Sequence, residues 1–325
     1  MPDPPDDDPS ESLPGSLQPL EAVVEPDSAG RRADVWIAAR FPWFSRSAAA
    51  RLIASGRVEG LDRPLKPSTV LQAGERLRLW RPRLRAEMPP PPLPPILHED
   101  DHVIAFDKPA GMLVHPSGST FAWALIGLAR QARPGHHLHL VHRLDRDTSG
   151  VTVIAKDDGT NRVLKQAFLD QRVEKVYWAV VRGAPEWSTL LVDAPIGKAP
   201  RSTVRLRMGI HADGLPARTR FFVLARFSGL ALVAAHPRTG RTHQIRVHLE
   251  HIGHPVLGDR VYGQPDDLFL HVLEHGFDEE ACRRAGFRRQ ALHARILRFP
   301  RPDGGVVEVR APLPDDLAAL LKGLA

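Results

Sequence analysis

Twelve residues, Val141-His142-Arg143-Leu144-Asp145-Arg146-Asp147-Thr148-Ser149-Gly150-Val151-Thr152, constrain this chain more than any other stretch. Two arginines, two aspartates, a histidine and several hydroxyls are crowded between apolar ends, and each must find a charged or hydrogen-bonded partner. Val151, Val153, Ile154 and Ala155 follow as a buried strand. The polar cluster therefore sits at the mouth of a core element, where a rigid scaffold can aim a functional loop.

The rest of the 325-residue chain narrows the class. A chain of this length can bury a full core and be divided into more than one domain. A single cysteine, Cys282, rules out a disulfide framework and argues against a cysteine-based metal site. No apolar run approaches the ~18 residues that cross a bilayer. The acidic, proline-rich start is unlike a secretory signal, so a cytoplasmic protein is expected.

The net charge of +6 is uneven. Residues 1–28 hold eight acids, seven prolines and no Lys or Arg, which predicts a disordered acidic tail. Residues 29–325 then carry 44 basic against 30 acidic groups, and 37 of the 44 are arginine. Arginine contacts phosphate bidentately and stacks on bases, which points to nucleic acid, although an Ala-, Arg- and Pro-rich composition produces the same bias without function.

Residues 29–82 form a compact segment. A helix is predicted over Asp34–Ala39 and another over Arg46–Ser55 with Ser45 as its cap; a short extended piece follows at Arg57-Val58, and Leu77–Trp80 alternates as a strand. With Arg46, Arg51 and Arg57 on the rim, the stretch resembles an S4 RNA-binding module. It departs from that pattern at Ala33-Asp34 and at the acidic turn Val58-Glu59-Gly60-Leu61-Asp62. Residues 83–97 are a proline-rich linker. Residues 98–325 predict an α+β domain. Strands are expected at 103–106, 151–155, 173–181, 219–225, 230–235, 292–299 and 306–309, and helices at 159–171 and 241–252. Adjoining strand runs favour a largely antiparallel mixed sheet with flanking helices, and the polar, irregular residues 264–290 read as an insertion or a loop-helix excursion.

Four segments of this domain carry chemistry. Lys108-Pro109-Ala110-Gly111 follows a strand end and serves equally well as a hairpin corner. In the opening loop, either all charges pair structurally or one of Asp145 and Asp147 is held ionised by an arginine as nucleophile or base. Thr148 and Ser149 suit turn and cap roles, since no Gly-x-Ser-x-Gly elbow surrounds them. In Glu174-Lys175-Val176-Tyr177-Trp178, Tyr177 shares a strand face with Lys175. In Gly240-Arg241-Thr242-His243-Gln244-Ile245-Arg246-Val247-His248, Thr239 or Thr242 would cap a helix exposing Arg241, His243 and Arg246. His248, His251 and His254 lack a His-Glu-x-x-His frame, so no metal is expected.

Together, in this order, these segments resemble the RluA-type family of RNA pseudouridine synthases, with Leu292-His293-Ala294 adding to the match. The resemblance covers about residues 96–312. It implies the pseudouridine synthase fold and a reaction that breaks the N1–C1′ bond of a flipped-out uridine, turns the base and rejoins it through C5. It implies Asp145 as the essential anion, attacking sugar or base or stabilising charge at C1′, with Arg246 as its partner. Tyr177 would stack on the uracil, and its hydroxyl is a candidate base for the last proton. Ile245 would pack beneath the base and Arg143 fill the space it leaves. Lys108, His142, Thr148, Arg241 and His243 would line the uridine site. No cofactor is implied. The expected partner is structured RNA met as a monomer, with large-subunit ribosomal RNA first and tRNA second. A non-catalytic RNA-binding protein and a two-carboxylate glycosidase are the competing classes; the glycosidase would need Asp147 as its second acid.

Overall fold

The computed structural model describes residues 17–41, 46–82, 90–115, 123–199, 202, 204 and 206–324. They fall into two compact units, with described residues 17–82 in one and 90–324 in the other. Residues 1–16, Ser45 and residues 83–89 of the proline-rich stretch lie outside the described residues.

The smaller unit contains β1 (Leu17–Val23), α1 (Ala33–Arg40), α2 (Arg46–Ala54), β2 (Val58–Gly60) and β3 (Arg76–Pro82). Its strands form an antiparallel sheet in the order β1-β3-β2. Trp36, Ile37, Ala49, Ile53, Leu77 and Leu79 make its core. β1 corrects the expectation of disorder through residue 28. Leu20, Ala22 and Val24 alternate into this core, while Glu21 pairs with Arg78 at 2.7 Å on the outer face. Acidity and proline content hid that alternation, and Pro19 is tolerated because β1 is an edge strand.

The larger unit runs β4 (Ile96–Glu99), β5 (Val103–Lys108), α3 (Leu125–Ala132), β6 (His139–Leu140), β7 (Ser149–Ala155), α4 (Asp158–Leu169), β8 (Glu174–Arg182), β9 (Thr189–Asp193), β10 (Ile196–Lys198), β11 (Met208–Ile210), β12 (Arg218–Arg226), β13 (Leu230–Pro237), α5 (Gln244–His251), α6 (Asp266–His275), α7 (Glu279–Ala285), β14 (Leu292–Pro300), β15 (Val306–Arg310) and α8 (Asp315–Leu324). Its main sheet has the order β4-β5-β7-β14-β8-β13-β12-β9, with β15 also on β14 and β6 on β7. β4 begins inside the stretch expected to be linker. The fold class is α+β, and the sheet is largely antiparallel as expected. Residues 264–290 carry helices, as a loop-helix excursion would, and are more ordered than expected: Leu268, Val272, Ala281 and Ala285 bury a small core between α6 and α7.

One pairing breaks the antiparallel pattern. β7 and β14 are parallel, with His293 opposite Ser149 and Ala294 opposite Gly150. On the other side of β14, Ala294 is opposite Tyr177 of β8. Parallel strands start at the same end of a sheet, so the loops entering β7 and β14 emerge together. No described helix is long and apolar enough to cross a membrane.

Candidate active site

The central row Gly150, Ala294, Tyr177 sets the floor of the site. Gly150 has φ +113°, and a Cβ there would lie 2.2 Å from the Ala294 carbonyl oxygen. Only glycine allows this approach of the two strands. Val114, Leu144 and Ala294 form a small buried cluster here, with Tyr177 packed on it.

The loop entering β7 is braced from within. The Arg146 carbonyl accepts from the Gly111 amide at 2.9 Å and from Lys108 Nζ at 2.9 Å. Lys108 Nζ also donates to the carbonyls of Pro109 and Met112, both at 2.8 Å. Lys108 has no exposed surface. It holds the turn and does not face substrate, which corrects its expected role; a strand-end lysine looks the same in sequence whether it points in or out. Burial pushes its ammonium down to about 7, against the charges of Asp147 and Asp145. Three carbonyl acceptors nevertheless match the three donors of the charged form.

Arg246, on α5, joins the loop to the rest of the domain. Its Nη1 donates to Asp145 Oδ2 at 2.9 Å. Its Nε and Nη2 donate to Asp259 Oδ2 and Oδ1 at 2.6 and 2.9 Å. Asp259 is fully buried and also accepts from the amides of Val261 and Tyr262. The Arg246 guanidinium lies 4.8 Å from the centre of the Tyr262 ring. Burial raises the Asp145 carboxyl, but the charges of His243 and Arg246, the Arg246 hydrogen bond and the charge of Arg143 outweigh it and hold it at about 2. About a quarter of the Asp145 side chain remains open to solvent. The result is a fixed, accessible anion.

Asp147 does different work. Burial raises its carboxyl, but the charges of Arg146 and Arg260 pull it far below the usual range. It pairs with Arg146 at 3.0 Å and Arg260 at 3.4 Å. The two aspartates of the loop thus part: Asp145 is paired from α5, and Asp147 is tied into a structural network.

The other expected site residues separate as well. Thr148 is buried and its Oγ1 accepts from Gln290 Nε2 at 2.6 Å; the same Nε2 lies 3.5 Å from Asp145 Oδ2. His142 Nε2 accepts from the Val153 amide at 3.0 Å and its ring stacks on Phe168. Burial and the Lys175 charge push His142 down to about 3, so it is a neutral brace. Thr148 and His142 therefore support the loop, correcting their assignment to substrate. Arg143 is exposed beside Asp145. Ile245 is buried in a cluster against which Tyr177 packs. Arg241 is partly exposed, with Nε on the Pro216 carbonyl at 3.1 Å. Burial, then the Asp145 charge, raise the Tyr177 phenol, which stays protonated at neutral pH. In the smaller unit, Arg46 and Arg51 are exposed and Arg57 is half-buried; Arg46 Nε reaches Asp34 at 3.1 Å.

Neither threonine caps α5. The helix begins at Gln244, after His243 in a left-handed backbone conformation with φ 56°. Gln244 Oε1 accepts from Thr239 Oγ1 and the Arg241 amide, and this knots the preceding turn. His243 Nδ1 lies 2.8 Å from the Tyr262 hydroxyl. Among the described residues, no group of three or more His, Cys, Asp or Glu is arranged to hold a metal ion.

Sequence reasoning missed Asp259, Arg260, Tyr262 and Gln290. The first three lie in Gly258-Asp259-Arg260-Val261-Tyr262-Gly263, a glycine-bracketed polar run like the one that marked the opening loop. Gln290 has no comparable signal.

Residues 102–251 match the RNA pseudouridylate synthase family. Ribosomal large subunit pseudouridine synthase D of Xanthomonas campestris pv. campestris is 38% identical over 329 residues, covering 98% of this chain and 96% of that protein. Ribosomal large subunit pseudouridine synthase C of Escherichia coli (strain K12) is 34% identical over 316 residues, covering 93% and 95%. The structure of human RNA pseudouridylate synthase domain containing 4 superposes with a TM-score of 0.55 at 31% identity, covering 70% of this chain and 92% of that one.

Proposed function

The chain belongs to the RNA pseudouridine synthases, isomerases that act on RNA, and on that premise we propose that it converts uridines of large-subunit ribosomal RNA with Asp145 as the essential carboxylate. The observation that carries this reading is the Arg246–Asp145 contact at 2.9 Å. It keeps the carboxylate ionised and oriented while leaving part of it accessible, and attack on carbon and stabilisation of positive charge at C1′ both require that state.

The roles follow from position. A uridine within a helix must leave its stack, at about a few kcal/mol, and Arg143, exposed beside Asp145, would occupy the gap. Tyr177 offers its ring to the uracil, with Ile245 beneath. Its phenol is protonated, so it enters as a hydrogen-bond donor and platform, and the C5 proton leaves to another acceptor. The N1–C1′ bond breaks, the C5–C1′ bond forms, N1 gains a proton and C5 loses one; substrate and product have the same atoms. Residues 29–82, with Arg46, Arg51 and Arg57, act as an S4-like anchor on RNA.

The test is direct. The purified protein is incubated with protein-free large-subunit ribosomal RNA, and pseudouridine is mapped by carbodiimide adducts and primer extension. New sites are expected with the wild type and none with Asp145→Asn, which should still bind the RNA. Sites only in tRNA would reassign the substrate, and turnover by Asp145→Asn would overturn the mechanism.

A further inference from the structure

Asp145 and Gln290 lie in the two loops that enter the parallel strands β7 and β14, and one side-chain amide joins those loops. Gln290 is buried, with 4% of its surface exposed. Its Nε2 donates to Thr148 Oγ1 at 2.6 Å and stands 3.5 Å from Asp145 Oδ2. We propose that Gln290 is a positioning residue for the reaction: with Arg246 it holds one carboxylate oxygen and so fixes the rotation of the Asp145 side chain.

Chemistry decides which way the amide points. An ionised carboxylate only accepts hydrogen bonds, so the NH2 end must face Asp145 and the carbonyl end cannot. The two hydrogens of Nε2 then serve two acceptors, one on Asp145 and one on Thr148. Those two residues close a single turn, in which the Thr148 amide donates to the Asp145 carbonyl at 3.1 Å. Gln290 therefore spans both ends of the turn that carries the carboxylate. Its own backbone is pinned. The Gln290 carbonyl accepts from Arg289 Nη1 at 3.1 Å and from the Leu292 amide at 2.8 Å, and Asp316 holds Arg289. A donor fixed in this way orients a reacting group without touching substrate itself.

The Arg246 guanidinium brings a charge to Oδ2, whereas the Gln290 amide brings direction alone. At 3.5 Å its contact is longer than the ~2.9 Å of an ordinary N–H···O bond, so it steers the carboxylate more than it stabilises it. The groups whose charge acts on Asp145, or on which Asp145 acts, are His243 and Arg246 at the start of α5, Arg143 in the loop, Tyr177 on β8, Lys108 at the end of β5, and Tyr262. Asp259 stands behind Arg246, and Arg289 Nη1 lies 3.5 Å from the Asp147 carbonyl beside Gln290. None of these is altered by a substitution at position 290, so a new pH response there belongs to the new side chain.

The proposal rests on Asp145 as the essential carboxylate, and turnover by Asp145→Asn would remove that premise whatever residue 290 does. Single-turnover rate and affinity are measured on protein-free large-subunit ribosomal RNA for wild type, Gln290→Glu and Gln290→Met, from about pH 5.5 to about pH 8. Gln290→Glu keeps the tie to Thr148, whose hydroxyl can donate to it, but sets a carboxylate against Asp145. Its rate should be about tenfold or more below wild type near pH 8, with RNA affinity within about threefold. The deficit should shrink toward pH 5.5, where the introduced carboxyl takes up a proton and can donate to Asp145. Gln290→Met keeps the bulk without a donor, and its rate should be about tenfold low at every pH. A wild-type rate and pH profile in Gln290→Glu would overturn the proposal and leave Asp145 in its role. Equal, pH-independent deficits in the two variants would make Gln290 a brace for Thr148 alone, and so overturn it too. Should Gln290→Glu not fold, Gln290→Met decides: a tenfold lower rate at wild-type affinity supports the proposal, and a wild-type rate overturns it.

Discussion

Asp259 grips Arg246 through the Nε–Nη2 edge of the guanidinium and leaves Nη1 for Asp145. A buried acid, itself held by the Val261 and Tyr262 amides, thereby sets where the Asp145 carboxylate points. Asp259→Asn leaves a buried arginine with only the partly exposed Asp145 as counter-charge. Breaking one side of such a pair costs about 3–5 kcal/mol. The expected outcome is a lower melting temperature and a single-turnover rate reduced more than about tenfold, with RNA affinity little changed. A wild-type rate in a folded variant would remove Asp259 from the mechanism.

The folded-state carboxyl of Asp145 is held at about 2, below the ordinary ~3.9 of an unfolded aspartate. A depressed carboxylate contributes stability that is present above the unfolded value and is lost as pH falls through the folded one. Its share is about 2 kcal/mol, lost between about pH 4 and 2. Asp145→Asn should therefore show a shallower loss of melting temperature over that window. Between pH 7 and 5 the wild-type turnover should show no limb from this group. A rate that halves near pH 6 and tracks Asp145 in variants would contradict the assignment.

Gly150→Ala tests the parallel seam. The new Cβ would meet the Ala294 carbonyl in a backbone conformation that L residues avoid. About 3 kcal/mol or more of destabilisation is expected, read as a fall in melting temperature with loss of activity. A variant that melts with the wild type would mean the strands can part freely here.

Removing residues 1–82 should weaken binding to ribosomal RNA and flatten its salt dependence, because the arginines of the smaller unit leave with it. The remaining unit has its own core and should still melt cooperatively. A slope equal to that of the full chain would reduce the smaller unit to an appendage.

Chelators should leave turnover unchanged. Both ring nitrogens of His248 are engaged, by Thr219 Oγ1 at 2.9 Å and the Ala194 carbonyl at 3.0 Å, and His254 Nδ1 is on the Arg182 carbonyl. Inactivation by EDTA, reversed by zinc, would show that this group of histidines rearranges to bind metal.

The loop at 141–152 was legible because its polar density contradicts its apolar flanks, and the helix at 244–251 because charged groups recur within an amphipathic stretch. The pairing of Asp145 with Arg246 was reached through family resemblance, since Arg143 and Arg146 are nearer along the chain. Lys108, at the end of β5, and His142 and Thr148, in the loop, brace the site from within although the resemblance implies that they line it. One-dimensional spacing does not distinguish a side chain facing the cleft from one bracing it from beneath. Asp259 and Gln290 stayed hidden because a single acid or amide in a turn is ordinary until its partner is seen. β1 was obscured by composition, where proline and acid content masked a period of two.

The Ser149–His293 seam also bears on when the protein becomes active. Its two halves are 144 residues apart, and closing so long a loop demands many nearer contacts first. The cleft is thus among the last parts of the larger unit to form. A growing chain that has not yet released Ala294 has the loop and Arg246 but lacks the strand against which Gly150 packs. A product shortened before Ala294 would lack the seam between β7 and β14, although it would keep the smaller unit and its arginines.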